Sequence, residues 1–569
     1  ALHSLNFYIA TISFLAGFVG IKLFCQKLQI EAPKNFSILS VCGLVFICIL
    51  TSLASFFFKV DVKLNLTLTI LILAGSIYYF RSLKRMLTEY IRNIRWVEVV
   101  LVIVFLSSTF LVLFKNFRPT SNYDEGLYYI QSVKWLQSYP VVPGLANLHT
   151  RLGFNSNLYV LSAFFSSPFP NVPLNDINGY LYLLALLYAF SGISKLIKGE
   201  NSLANYAKAL FLVPVSIPDL TFFSIDSNIY LNTFNTDFFA SIIVWITLIS
   251  LLEKTDYHRF EISDYLVLSF SVFVVTIKLS VLPIMVAPVL LYLLQYRQLS
   301  KSNILSSVVP VVLIMLPWLI RNIITSGYLV FPLYQIDLFN FDWEVPKEHV
   351  KGAADAIEIW AYGFRGLDFP KEIDFFLHWL NRWSFSNLAL IYLSAINFVI
   401  LTAILFYNVI RWKSFKDKLN LSVLLAYAVT IFGIIFWALK APNLRFGYGM
   451  IIFFNILSLS LLCFSLIRPY FRYLAIVVIV FFTYFNLIHQ TKTLEKTHSE
   501  FFDALPAFKV PEIEEYEIQN GTVLVPAKAD QCFNAPLPCG PKNEVSKRQI
   551  ILRGQSLSSG FKSKLNSTK

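Results

Sequence analysis

Residues 64–80, LNLTLTILILAGSIYYF, carry no charged side chain and are apolar on nearly every face of a helix. At about 1.5 Å per residue such a helix is roughly 25 Å long, close to the depth of a hydrocarbon layer of about 30 Å. Residues 473–488, YLAIVVIVFFTYFNLI, repeat the pattern further along the chain. A membrane barrel would show segments of about ten residues alternating with period two. These runs are instead apolar on nearly every face, so the sequence predicts membrane-crossing helices.

The rest of the 569 residues agrees, being 56% hydrophobic and 14% charged with a mean hydropathy of +0.62, whereas a soluble domain carries about 25% charge. An ordinary soluble enzyme is thereby excluded. Spans are expected near 5–25, 37–58, 64–80, 96–114, 177–197, 202–217, 237–252, 264–281, 283–295, 304–323, 385–408, 420–439, 446–467 and 473–490. The apolar segment 155–169 is short and flanked by proline, and is read as not fully crossing. The expected fold class is an all-α polytopic membrane protein of about fourteen transmembrane helices. Its parts are a three-span N-terminal extension (1–95), a transmembrane core (96–490) with extracytoplasmic loops at 115–176 and 324–384, and an extracytoplasmic tail (491–569).

A formal charge of +13 would matter for nucleic acid only if the charges shared a surface. Here they punctuate the gaps between apolar runs, the pattern of topogenic Lys and Arg, so no nucleic-acid partner is expected. Arg81, Lys84, Arg85, Arg92 and Arg95 crowd one gap. The clusters Lys195/Lys198, Lys254/Arg259, Arg297/Lys301, Arg411/Lys413/Lys416/Lys418 and Arg468/Arg472 fall on the same side of the count. By the positive-inside rule that side is cytoplasmic, with both termini outside; Lys59 and Lys63 run against it. Residues 1–6 lack a basic n-region and 5–25 is long enough to span, so no cleavable signal peptide is expected.

Chemistry is expected first at Asn122-Tyr123-Asp124-Glu125-Gly126-Leu127-Tyr128, soon after a span. The bland account is a helix start, with Asn122 capping, Glu125 completing a capping-box-like arrangement and both acids favouring the helix dipole. The sharper account gives one carboxylate the task of accepting a proton from an acceptor hydroxyl at the membrane surface; the two are compatible. Residues 129–136 read as an amphipathic helix near the interface. Lys278, Arg321, Lys440 and Arg445 lie at the extracytoplasmic ends of spans, where the positive-inside rule would discourage them. They either snorkel to the headgroups or bind an anion. Asp237 is a helix cap or a second acid. Asp226, His149 and Arg151 lie in the same outer connections, and Trp343, Trp360, Trp379 and Trp383 suit a sugar-contacting lid or an interfacial belt. Cys532 and Cys539, separated by six residues in the tail, are expected to pair in an oxidising compartment, two free thiols being the alternative. Cys25, Cys42, Cys48 and Cys463 sit in apolar runs as packing residues, and no zinc-type cluster is evident.

Asp124-Glu125-x-x-Tyr128 resembles the first external loop of the type C (GT-C) membrane glycosyltransferases, such as the protein O-mannosyltransferases and the aminoarabinose transferases acting on lipid A. Asn157-Leu158-Tyr159, Thr276-Ile277-Lys278, Pro317-Trp318-Leu319-Ile320-Arg321-Asn322 and Ala441-Pro442-Asn443-Leu444-Arg445-Phe446 are similar to further segments of that superfamily in the same order, covering roughly 115–467. The resemblance implies a GT-C-like helical bundle, a polyprenyl-phosphate sugar as donor and an acceptor outside the cytoplasm, in a bacterial inner membrane. It implies Asp124 as base, with Glu125 orienting the acceptor or holding a cation. Arg321 and Arg445, with Lys278 and Lys440, would bind the departing phosphate, and Tyr128, His149, Arg151 and Asp237 would line the substrate site. No cofactor is expected; some relatives use a metal, but no Asp-x-Asp motif supports one here. The competing readings are an O-antigen polymerase or ligase, working through Arg365, His378 and Arg382 in the later loop, and a transporter or flippase of lipid-linked glycans.

Overall fold

The computed structural model describes residues 2–92, 94–116, 122–168, 176–216, 231, 233–254, 256–362, 421–464 and 509–565. The chain runs through α1 (Leu2–Leu28), α2 (Phe36–Ala54), α3 (Val62–Tyr78), α4 (Phe80–Arg92) and α5 (Trp96–Asn116). A π-helical turn (Glu125–Tyr129) then leads into α6 (Ile130–Ser138), the short α7 (Leu145–Leu148) and α8 (Asn157–Ser166). Next come α9 (Ile177–Ile197), α10 (Leu203–Leu210), α11 (Leu212–Ser216), α12 (Thr236–Leu252), α13 (Ile262–Ile277), α14 (Val286–Leu294), α15 (Lys301–Ser326) and α16 (Lys347–Ala361). α17 (Leu421–Lys440) and α18 (Leu444–Leu462) follow. A C-terminal lobe contains β1 (Ile513–Ile518), β2 (Gly521–Pro526), α19 (Lys542–Arg548), β3 (Ile550–Leu552) and β4 (Phe561–Ser563).

Among the described residues six helices, α1, α2, α9, α15, α17 and α18, are long and apolar enough to cross a membrane, or seven if α3 and α4 count as one span bent by 76°. About fourteen spans were expected; of these, 385–408 and 473–490 lie outside the described residues. Others are short. α12 and α13 have 17 and 16 residues, about 25 Å, which is at the short limit for crossing a hydrocarbon core of about 30 Å. The run 202–217 breaks into α10 and α11, and hydropathy alone does not see where a helix stops. α8 has ten residues, about 15 Å long, so the ambiguous segment is a short buried helix. The tail adds two antiparallel two-stranded sheets, β1–β2 and β3–β4, so the fold is mostly helical rather than all-α.

Local chemistry sets the helix ends. The Asn35 side chain accepts from the Ile38 N–H, Asp61 from Lys63 and Leu64, and Ser300 from Asn303, each satisfying amides that a helix start leaves orphaned. α15 stops at Gly327, whose φ of 86° is cheap only for glycine. The expected basic loop is itself a helix: α4 exposes Phe80, Leu87 and Ile91 together with Arg81, Lys84 and Arg85. That mixture suits an amphipathic segment at a membrane surface. α1 and α2 touch backbone to backbone, since a methyl on Gly17 or Gly43 would strike the carbonyl of Leu39 or Ser13. Both helices share one apolar core with α8, α9 and α15. Large apolar side chains exposed on α3, α5, α15 and α17 are what helices bathed in hydrocarbon present.

One end of the bundle is covered by a cap made of α6, α7, α8, α16 and the C-terminal lobe. α6 buries Ile130, Gln131, Val133 and Trp135, so it is covered by protein rather than lying on the interface as expected. The Asn147 amide reaches the carbonyls of Gly144, Trp343 and Phe561 at 3.2, 2.8 and 3.3 Å. Arg553 makes a forked pair with Asp342 at 2.9 Å, and the Phe561 N–H donates to the Pro143 carbonyl at 3.0 Å.

Candidate functional site

Under this cap, helix ends and the π-turn present their polar groups to one another. At the start of α12 the Asn235 side chain accepts the Asp237 N–H at 2.7 Å, so Asn235 is the cap and the Asp237 carboxylate is left for other work. α13 ends at Ile277, and Lys278 follows in extended backbone before a 3-10 turn, Leu279–Met285. At the start of α18 the Asn443 side chain accepts the Arg445 N–H at 3.2 Å, while its carbonyl takes the Trp437 indole N–H at 2.7 Å. That pair of bonds locks the α17–α18 turn. The Asn122 side chain accepts the Asp124 N–H at 3.0 Å, in keeping with a helix start. The turn that follows is π-helical, a form with one extra residue that recurs at functional sites.

The side chains converge. Arg445 Nη1 lies 3.6 Å from Asp124 Oδ2, their side chains 35% and 24% exposed. Lys278 is paired through Nζ with Asp237 Oδ1. The Phe446 ring serves both cations, with Lys278 Nζ 4.4 Å and Arg445 Cζ 4.8 Å from its centre; such contacts are favourable by about 0.5–2 kcal/mol depending on desolvation. Glu125 is fully buried, and its Oε2 accepts the Phe234 N–H at 3.2 Å, beside the α12 cap. Asp124, Glu125, Asp237, Lys278 and Arg445 therefore form one group. Tyr128 closes a side of it, its ring 4.5 Å from Tyr129 and 5.9 Å from Phe154. Burial pushes the Tyr128 hydroxyl up, and Asp124 adds to this while Arg151 and Arg445 oppose it, so it stays protonated as a hydrogen-bond donor. Arg151 stands with Cζ 5.2 Å from the Phe154 ring and makes no ion pair with a described residue.

Three expected site residues sit elsewhere. Arg321 is buried and donates to the side-chain oxygens of Asn155 and Asn157, and to Ser52 Oγ at 3.3 Å. Asn157 in turn donates to Thr276 Oγ1 at 2.8 Å. Arg321 thus ties the start of α8 to α2 and α13, and forms one wall of a cavity of about 40 Å³ shared with Trp135, Phe154 and Tyr159. Lys440 is an exposed residue ending α17, without an ion pair to a described residue. His149 turns toward the C-terminal lobe, its Nδ1 3.1 Å from Glu544 Oε1. Burial raises the Glu544 carboxyl, but His149, Arg548 and the Thr150 N–H outweigh it and hold Glu544 well below the usual carboxylate range. Cys532 and Cys539 are joined in a disulfide. Asp226, Arg365, His378, Arg382, Trp379 and Trp383 lie outside the described residues. Among the described residues no group of three or more His, Cys, Asp or Glu is arranged to hold a metal ion.

Phe446, Tyr129, Tyr159 and Phe154 were not singled out by sequence as site residues. The available signal was an aromatic ring beside each cation, in Arg445-Phe446 and three positions on in Arg151…Phe154.

A family model described as a domain of unknown function (DUF8201) matches residues 4–452. The chain belongs to this family. The DUF8201 match runs from α1 into α18 without a break at residue 95, and it includes every member of the Asp124–Arg445 group; the C-terminal lobe lies beyond it. No curated protein and no solved structure matches the chain.

Proposed function

We propose that this DUF8201 protein is a membrane glycosyltransferase, moving a sugar from a polyprenyl-phosphate donor to an acceptor outside the cytoplasm. One observation carries the reading: Asp124 and Arg445 face each other with both side chains partly exposed, and Arg445 and Lys278 lie against the one Phe446 ring. In this scheme Asp124 takes the proton of the acceptor hydroxyl, whose oxygen attacks the anomeric carbon. The carbon–oxygen bond to the lipid phosphate breaks, and its electron pair leaves on the phosphate. A group gaining charge in this way is stabilised by fixed cations, and a guanidinium fork suits phosphate oxygens. Arg445 and Lys278 take that role, with Arg151 close by. Arg321 is better read as a positioning residue for α8, since three of its donors are already engaged. Glu125 fixes the turn against α12, and Tyr128 and Tyr129 offer rings and hydroxyls to a sugar. A single displacement inverts the anomeric centre.

Two features favour an outer-face site in a bacterial inner membrane. The disulfide in the cap is of a kind that persists in oxidising compartments, and the Arg81–Arg95 cluster belongs to the opposite end of the span order, where a cytoplasmic loop is expected. The further apolar runs 385–408 and 473–490 are read as additional spans, toward the count of about fourteen. The exposed apolar helix faces would lie along the prenyl chain.

The test is transfer from extracted polyprenyl-phosphate sugars by the purified protein, with Asp124→Asn beside it. Loss of a general base should lower the rate by about a hundredfold or more. Equal transfer by the variant removes Asp124 as the base. If Arg365→Ala or His378→Ala abolishes transfer while Asp124→Asn does not, the polymerase or ligase chemistry is the right one.

A further inference from the structure

The C-terminal lobe lies beyond the family match, yet it is built onto the segment that carries the acidic pair. Ahead of Asp124, Tyr123 donates its hydroxyl to Asp530 at 2.5 Å, and its carbonyl accepts Gln531 Nε2 at 2.8 Å. After Glu125, the Gly126 carbonyl accepts the Phe533 N–H at 2.8 Å. Gln131 Nε2 donates to the carbonyls of Phe533 and Ala535 at 2.9 and 3.0 Å, and Lys134 Nζ to those of Asn534 and Ala535 at 3.1 and 3.0 Å. Residues 530–535 therefore grip the chain on both sides of Asp124 and Glu125. Phe533 fills the space above Gly126 so closely that a methyl there would lie 2.5 Å from its ring. Phe533, Asn534 and Ala535 belong to the loop closed by the Cys532–Cys539 disulfide.

We infer that this disulfide-closed loop is a positioning clamp that holds the Asp124–Glu125 turn in its π-helical form. A π-turn is uncommon where nothing outside the helix supports it, and here the supporting contacts come from a loop whose freedom a covalent bond restricts. Gly126 is the socket and Phe533 the key. Asp124 keeps its place opposite Arg445 because residues 123 and 126 are both fixed by the lobe. The acidic pair then depends on the oxidation state of two cysteines about 400 positions away in the chain.

Hydrogen exchange on the full chain in lipid nanodiscs reads the turn directly, so a clamp that fails and a transfer assay that fails are told apart. Reduction of the disulfide, checked by thiol alkylation, should speed exchange in peptides covering 122–138 by about tenfold or more. Peptides from α13 should be unchanged, and reoxidation should restore the original rates. Gly126→Ala should loosen the same peptides without reduction, and adding Phe533→Leu should recover most of the protection, a rescue that general packing would not give. Unchanged exchange at 122–138 after complete reduction, loosening that spreads to α13, or a double variant no better than Gly126→Ala would each overturn the clamp.

Discussion

Lys254 and Asp264 at one end of the bundle, and Arg445 and Asp124 at the other, are both ion pairs joining neighbouring elements, but their surroundings differ. Lys254 and Asp264 are each 0% exposed and 2.7 Å apart. Lys254 also donates to the Arg259 carbonyl, and Asp264 also accepts from Gln295 and from the Glu261 N–H. Nearby, Lys208 is paired with Glu253 and lies 4.7 Å from the Tyr188 ring. Arg445 and Asp124 are further apart and partly in contact with solvent, and Arg445 shares an aromatic ring with a second cation. A partly exposed pair at 3.6 Å is worth roughly 0–1 kcal/mol, and little is lost if a ligand replaces one partner. Removing one member of a fully buried pair costs about 3–5 kcal/mol, because the other is left charged and dry. Closed pairs hold helices together; open pairs can exchange partners.

The sharpest way to break this contrast is Lys254→Met, which strands Asp264. It should destabilise the protein by about 3–5 kcal/mol, read as a large fall in thermal midpoint in detergent. A fall no larger than that of a surface variant would mean the pair is not closed. Arg445→Gln should leave the stability within about 1 kcal/mol of the parent while lowering sugar transfer by about a hundredfold. A stability loss comparable to that of Lys254→Met would make Arg445 a structural residue. Phe446→Leu keeps bulk but removes the ring face that both cations use, so about a tenfold rise in the donor concentration giving half-maximal rate is expected, from a cation–π contribution of about 0.5–2 kcal/mol. No change would show that the ring orients neither cation.

The smallest effect concerns the cap. Glu544 has a folded pKa depressed below the 4.5 of a free glutamate, so the stability it gives is fully present above about pH 4.5. It is lost as the pH falls from there toward the lower folded value, because the unfolded state then binds the proton first. Protection of α19 and of residues 149–150 should weaken over that acidic range by about 1 kcal/mol, and Glu544→Gln should flatten the dependence. A flat profile in the parent would show that His149 and Arg548 do not hold the carboxylate.

What the sequence disclosed divides by range. Apolar runs announced most helices because burial and hydropathy are properties of consecutive residues, and Asn122 was readable as a cap because its partner is two residues away. Asp124, Glu125, Lys278 and Arg445 were selected by charge type and by position at span ends, and the fold brings these four together. Arg321 was selected on the same grounds but is absorbed by Asn155 and Asn157, whose amides give no sign in sequence of facing a guanidinium. His149 was read as a cavity residue, yet its neighbour Glu544 lies in another part of the chain, and no local pattern couples them. Phe446 stood in a family-like segment but was given no role, because an aromatic residue in a chain with 16% aromatics is unremarked until two cations are found on it. Helix breaks were the other blind spot: the apolar run 202–217 is interrupted at Phe211 between α10 and α11, which hydropathy does not reveal.

The Asn147 amide joins carbonyls of residues 144, 343 and 561, three stretches made far apart in time on the ribosome. At an elongation rate of about 5–20 residues per second, the first must wait tens of seconds for the last. For about the first half of that interval the rivet has only one of its plates and for the rest only two, and the surface it will seal stands open to chaperones, proteases and wrong neighbours.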